Sequence, residues 1–443
     1  MKIPRPHLRS IKLLGEKILH PGLIRGFLSV GAIRMFSMPF TLTTSVVLAR
    51  SLGPVEFGHY SFMVSFMIIL SLPFGLGIVR LTVRETALLL SEEKFSRVKG
   101  NWRRGSQAIS VYAVLVVAAL LSWIGVGYES SFSTIVFICL IPILSILDFQ
   151  SGILRGLGKP AKSLFPTMVL RPLGILLCSV IFMWTGVFSI AEATISYAIG
   201  TIFALAWSFG MVYKSRPQCV ADARPEYDDR PLIRAYPTFL FISAATFMTI
   251  DLLIMVLGML SSPESVSALR IAWSGAQIVN LPLVAIGMLI GPQFAKLINS
   301  DSKKIQGLYR KSTAISMFGA LCTGLPLFFL SDQIVTILFG VDFLDAVSIP
   351  WRSLIVASVI MAFVGPSSML LGMVGEERKA LIAQISGLVT AIVGTFFSAS
   401  TFGADGAAIS FTAGVAVICS LEFYFIYRLF GFRACFTGVR NDS

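Results

Sequence analysis

Chemistry in this sequence rests on a few polar side chains set within long apolar stretches. They are Arg34, Asp148, Arg171, Asp251, Arg270, Asn280 and Arg352. An ionisable group inside a bilayer is costly, so each such group has a partner or a function. Arginine offers phosphate oxygens a rigid fork of donors. Arg34, Arg171, Arg270 and Arg352, with Asn280, are therefore candidates for holding an anionic substrate. Asp251 and Asp148 are candidates for a coupling ion. Structural readings stand beside these. Asp148 and Arg171 can pair and hold two helices together, Asp251 can pair with an arginine, and Arg270 and Arg352 can snorkel to an interface. Arg34 lies eight residues into the first apolar stretch, ~12 Å deep at the usual helical rise. It is the favoured cavity residue. Gln277, Asn280 and Gln384 line a cleft or bridge helices, while Glu192 and Glu422 fall near stretch ends and are expected to be solvated.

No grouping suggests an enzyme. The six cysteines are scattered without a Cys-x-x-Cys neighbour, and the histidines are His7, His20 and His59. The pattern predicts no disulfide, no metal site and no bound cofactor. The string from Gly152 to Pro160 resembles a phosphate loop only superficially. It lacks the glycine six residues before Lys159 and the following Ser or Thr. It reads as a helix end and tight turn.

The elements that must position these groups are membrane helices. A spanning helix needs roughly 20 mostly apolar residues. Twelve stretches qualify: 26–48, 59–80, 106–127, 132–154, 165–187, 192–213, 236–258, 267–293, 311–330, 349–373, 380–400 and 406–428. The chain is 55% hydrophobic and 13% charged, with mean hydropathy +0.82. The expected fold is an all-α integral membrane protein. Residues 11–19 form either a short interfacial helix or a solvated basic tail. The first apolar run is too long for a cleavable signal peptide.

Lysine and arginine collect in cytoplasmic loops. Thirty-one of the 36 lie in the tails and in every second loop, whereas the opposite loops hold only Arg50. Both termini are therefore expected in the cytoplasm. The formal net charge of +13 reads as a topology signal rather than as nucleic-acid binding. The loops on the other side are short. The longest, 331–348, is mostly apolar with Asp332, Asp342 and Asp345, which leaves little room for the extramembrane domain of a sugar-transferring enzyme.

The chain also repeats itself. An offset of 209 places Pro54 on Pro263 and Leu72-Pro73 on Leu281-Pro282. After a small insertion, Gly156-Leu157-Gly158-Lys159 resembles Gly372-Met373-Val374-Gly375. Six helices per half make the halves parallel repeats about an axis along the membrane normal. The expected parts are a tail (1–25), an N-lobe (26–213), a cytoplasmic linker (214–235), a C-lobe (236–428) and a second tail (429–443). A cleft between the lobes suits alternating access.

The segment from Leu48 through Arg50-Ser51-Leu52-Gly53-Pro54 to Phe57-Gly58-His59-Tyr60 resembles the signature between helices 1 and 2 of bacterial polysaccharide transporters. These belong to the multidrug/oligosaccharidyl-lipid/polysaccharide (MOP) exporter superfamily. Similar stretches are Leu154–Lys159, Gly291–Leu297, Leu338–Phe343 and Gly365-Pro366 through Arg378. The second half departs from the pattern at Ser267-Ala268-Leu269-Arg270, where a Gly-x-Tyr is usual. The resemblance implies a MATE-like fold in the bacterial inner membrane. It implies a flippase for polyprenyl-diphosphate-linked oligosaccharide repeat units in O-antigen or exopolysaccharide synthesis. Basic residues in a central cavity follow from it, with Arg34 as the best positional match. The expected partners are that lipid-linked substrate, membrane lipid, and polymerase and chain-length machinery, with a monomeric transport unit and no nucleic acid. Alternatives are a cation-coupled drug antiporter, a peptidoglycan-precursor flippase, or a membrane glycan polymerase or glycosyltransferase.

Overall fold

The computed structural model describes residues 21–71, 78–125, 132–184, 186, 188–227, 249–297 and 302–430. Its elements, in chain order, are α1 (Pro21–Ser71), α2 (Ile78–Ser91), α3 (Phe95–Gly125), α4 (Phe132–Gly156) and α5 (Pro160–Trp184). Then come α6 (Ile190–Ser215), the short α7 (Gln218–Asp222), α8 (Thr249–Leu260), α9 (Pro263–Leu297) and α10 (Ser302–Phe329). The chain closes with α11 (Ser331–Leu338), α12 (Leu344–Val364), α13 (Ser367–Met373) and α14 (Glu377–Phe430).

Two of these are pairs of spans joined end to end. Gly53 breaks α1 at φ 74° and ψ 175°, and Gly403 breaks α14 at φ 52° and ψ −128°. Only glycine adopts such angles without strain, and Pro54 opens the second arm of α1 as prolines do at a first helical position. Among the described residues the protein is all-helical, and with these breaks its layout fits the expected twelve membrane spans in two lobes. Residues 236–248 of the expected span 7, the interfacial helix at 11–19 and the tail 431–443 lie outside the described residues.

Several boundaries differ from the sequence reading. The basic loop expected after span 2 is mostly helix: α2 runs to Ser91, α3 starts at Phe95, and Glu93 turns between them at φ 57°. Arg97, Lys99, Arg103 and Arg104 therefore ride on α3 beyond the apolar stretch. Residues 216–227 strap across this hairpin. Lys99 Nζ donates to Ala223 O at 2.9 Å, Glu226 N donates to Ser96 O at 3.0 Å, and Arg97 pairs with Glu226 at 3.1 Å. Span 10 is interrupted: α12 stops at Gly365, φ 75°, and α13 restarts at Ser367. Much of the loop expected at 331–348 is α11 and a 3-10 turn at Val341–Phe343.

The repeat is visible in the turns. Lys159 N bonds Leu154 O at 2.9 Å around Gly158 at φ 73°. Glu376 N bonds Leu371 O at 3.0 Å around Gly375 at φ 85°. Both are the Schellman ending of a helix, with its left-handed glycine. The match runs from Gly158 to Gly375, one residue away from the register read in the sequence. The core is aromatic in each lobe. Tyr60, Phe137 and Tyr197 pack with centroids 5.8–6.4 Å apart in the N-lobe. In the C-lobe Trp351 is fully buried and donates to Leu327 O at 2.9 Å.

Candidate functional site

The turns at 91–95, 156–160, 215–218 and 373–377 mark one end of the bundle, here the basic face. The breaks at Gly53, 260–263 and Gly403 mark the far face. Among the described residues, named contacts between lobes lie toward the far face. A Cβ on Gly58 would meet Pro263 O at 1.9 Å, and one on Gly258 would meet the Phe62 ring at 2.3 Å. Both glycines are what lets the helices come this close. Arg50 donates to Ile337 O.

The centre of this contact is polar. Arg270 on α9 donates to Ser61 O (3.4 Å) and to Ser65 Oγ on α1, and pairs with Asp251 on α8 at 3.1 Å. Ser65 Oγ donates to Asp251 at 2.8 Å. Ser61 and Arg270 are 209 residues apart, the repeat offset itself. Equivalent positions face each other only beside a two-fold axis, so the pseudo-axis passes here.

Below this closure two hollows share Trp273 and Gln277 as a common wall. The smaller, about 250 Å³, is lined by Arg171, Arg270, Tyr60, Tyr197 and the hydroxyls of Thr41 and Thr44. The larger, about 560 Å³, faces the basic-face half and is lined by Arg34, Asn280, Gln384, Phe411 and the small residues Gly387, Ala391 and Gly414. Gly387 and Gly414 bring the two arms of α14 together: a Cβ on either would meet the other's carbonyl at 2.5–2.6 Å.

Local structure explains how the cations are aimed. Arg171 follows a π-helical turn, Pro166–Leu170, and precedes Pro172. The extra residue per turn relieves the clash that a mid-helix proline creates. Thr44 Oγ donates to Pro172 O at 3.2 Å and ties this point to α1. The Arg171 guanidinium then lies 5.9 Å from the Tyr197 ring centre, within cation–π range. Arg34 projects from α1 with its buried Nε unpartnered among the described residues. Asn280 spends its Nδ2 on Ser358 Oγ at 3.0 Å, while its Oδ1 has no partner.

The structure thus brings Arg171 and Arg270 to the smaller and Arg34 and Asn280 to the larger of two adjoining inter-lobe hollows. It separates the rest. Arg352 lies outside, on the far face, clamped by both oxygens of Asp332 at 2.9 and 3.0 Å and by Ser331 Oγ. Hydrogen bonds from Ser348 and Ser331, with the Arg352 charge, hold the Asp332 carboxyl below its usual range. Asp251 already has its arginine. Asp148 lines neither hollow and forms no ion pair within 4.0 Å among the described residues, Arg171 included; it stands within electrostatic reach of Arg171 and Arg155. Glu422, expected to be wet, is 3% exposed. Residues 406–427 contain one charged side chain, Glu422, and that isolation was the signal available.

An arginine-lined cleft between two helical lobes defines a multi-pass membrane protein with a MATE-like fold. The chain belongs to the polysaccharide biosynthesis protein family, whose model matches residues 23–298. It is similar to an inward-facing multidrug resistance MATE family transporter of the MOP superfamily, with 16% identity, TM-score 0.72, and 91% of this chain and 98% of that one covered. It is equally similar to the lipid II flippase MurJ in an inward closed conformation, with 15% identity, TM-score 0.72, and coverage of 90% and 87%. An outward-facing MATE transporter aligns at 16% identity and TM-score 0.65, with coverage of 96% and 99%. No curated protein sequence matches the chain.

Proposed function

We propose that this protein flips polyprenyl-diphosphate-linked oligosaccharide repeat units from the cytoplasmic to the outer leaflet of the bacterial inner membrane, with both termini in the cytoplasm. The carrying observation is Arg34, a fixed cation with an unused donor, on the wall of a cavity whose other described lining residues carry no charge. A diphosphate is the substrate part that needs such a donor. Arg171, behind the shared wall of Trp273 and Gln277, supplies a second cation along the same path. The polyprenyl tail stays in lipid, and the glycan follows the headgroup through the cleft.

Family membership supports a polysaccharide substrate, and the lobes closed at one face with a hollow toward the other support alternating access. The antiporter reading takes Asp251 as its coupling site. Asp251 is neutralised by Arg270, which favours the flippase. Deleting the gene and extracting membrane lipids tests the proposal. Diphosphate-linked oligosaccharide should accumulate on the cytoplasmic leaflet while surface polysaccharide is lost. Unchanged lipid intermediates with altered drug sensitivity would point to the antiporter, and repeat units stranded in the outer leaflet would point to a polymerase.

A further inference from the structure

The C-lobe holds a second polar group that the cavity arginines do not explain. Glu422, buried in the second arm of α14, accepts from Ser367 Oγ on one carboxylate oxygen and from Ser368 Oγ on the other. Gln384 Nε2, on the first arm of α14, approaches the same side at 3.4 Å from Oε1 and 3.4 Å from Ser368 Oγ. No Lys, Arg or His ion pair reaches Glu422 among the described residues. A carboxylate kept in a membrane helix with neutral donors alone is a functional group by default.

Its surroundings connect it to moving parts. Ser367 and Ser368 begin α13, just beyond the break at Gly365. Gly365 is held tight, since a Cβ there would meet Thr313 Oγ at 2.3 Å. Gln384, a member of this cluster, and Ile418, one turn before Glu422 on the same arm, line the larger hollow with Arg34. One carboxylate therefore touches the interrupted helix, the cavity wall and the last span together.

The other titratable groups on the packed elements leave it isolated. Cys419 lies one turn away on its own helix and is buried. Tyr309 on α10 spends its hydroxyl on Val364 O. Asp251 on α8 and Arg352 on α12 are paired with Arg270 and Asp332. Glu376 and Lys379 pair with each other at 3.1 Å, beside exposed Glu377 and Arg378 at the start of α14.

We propose that Glu422 is the proton-coupling site of this transporter. A proton suits the cage better than a metal cation. Two hydroxyls and an amide point donors at the carboxylate, and few oxygens remain to replace a hydration shell. On protonation the carboxyl gains a donor of its own and the serine hydroxyls must turn to accept it. The bonds linking α13 to the two arms of α14 then rearrange, which biases the break at Gly365 and the cavity wall at Gln384. The transport part of this inference rests on the flippase reading; the titration does not.

The test is therefore run first without substrate. Purified protein in lipid nanodiscs is followed by hydrogen exchange across residues 365–384 from pH 5 to 9. The wild type should show one titrating change in protection, and Glu422→Gln should hold the low-pH pattern throughout. Glu422→Asp, which keeps the charge, should still titrate. A pH response in Glu422→Gln equal to wild type, or a response to sodium and none to pH, overturns the proposal. In proteoliposomes a pH gradient should accelerate flipping by the wild type and leave Glu422→Gln unaffected, with binding of lipid-linked glycan retained. Absence of any glycan flux alongside an intact Glu422 titration would remove the glycan substrate and keep the proton site.

Discussion

At the scale of single residues, what decides a role is whether a side chain already has its partners within the fold. Arg270 and Arg352 are both arginines near the ends of apolar stretches, yet one closes the lobes and the other is pinned to Asp332 outside the cleft. Arg34 alone among the four arginines keeps a buried donor unused. Arg34→Ala is expected to lower translocation at least tenfold, equivalent to about 1.4 kcal/mol of lost transition-state interaction, with wild-type expression and melting temperature; flux assays beside thermal unfolding separate the two. Arg34→Lys should restore part of the rate, because the charge returns without the planar fork. Asp332 gives a pH prediction of known sign. Its carboxyl is held down in the folded state, so the stability it adds is complete above the ordinary aspartate value of about 3.9. That stability is lost as pH falls through the depressed folded value. Melting temperature should stay level from pH 8 to 5 and fall below about pH 4, less so in Asp332→Asn. The depth of Arg34 was legible from position alone. The fates of Asp251, Asp148 and Arg352 were not, because a one-dimensional apolar pattern gives depth but not which face of a helix a residue occupies.

At the scale of elements, length and hydropathy fixed most spans, and glycines fixed what joins them. Gly53 and Gly403 let two spans follow one another with hardly a loop, and Gly158 and Gly375 end equivalent helices with the same turn. The repeat was readable from prolines and glycines because those residues mark backbone conformations rather than packing. The helical hairpin of α2 and α3 was not readable, since its residues 80–104 carry too many charges for any apolar criterion. Its helices continue on intrinsic preference and on the strap from 216–227. The close approach of Gly387 and Gly414 makes a clear prediction. Gly387→Leu must push the arms of α14 apart and fill the larger hollow, costing about 1–3 kcal/mol by overpacking. A lower melting temperature together with loss of glycan binding is expected; unchanged values in both would mean that this wall neither packs nor shapes the cavity.

At the scale of the whole molecule, the charge asymmetry and the two-lobe symmetry act together. In the proposed topology the positive loops set which face meets the cytoplasm, and in the proposed transport cycle the pseudo-axis through Ser61 and Arg270 is where the lobes pivot. In the described state the far-face contacts are made and the hollow lies toward the basic face. Cysteines placed at Glu92 and Glu226 should react with impermeant reagents only from the cytoplasm, and those at Ser262 and Val341 only from outside. The reverse pattern would invert the proposed topology. Asp251→Asn should loosen the far-face closure, seen as faster labelling of a cysteine at Ser61, without abolishing substrate binding. Fold and symmetry were legible because every span obeys the same hydrophobic demand, whereas the closure depends on pairs such as Ser65–Asp251 that lie 186 residues apart. The most direct measurement of the central claim is translocation in liposomes containing the purified protein. A fluorescent polyprenyl-diphosphate oligosaccharide is placed in one leaflet and its arrival in the other is timed. Protein-dependent flipping that Arg34→Ala depresses is the predicted result. Lipid-linked glycan that stays in its leaflet at the rate of empty liposomes, from a matching pathway and with folded protein, would contradict it.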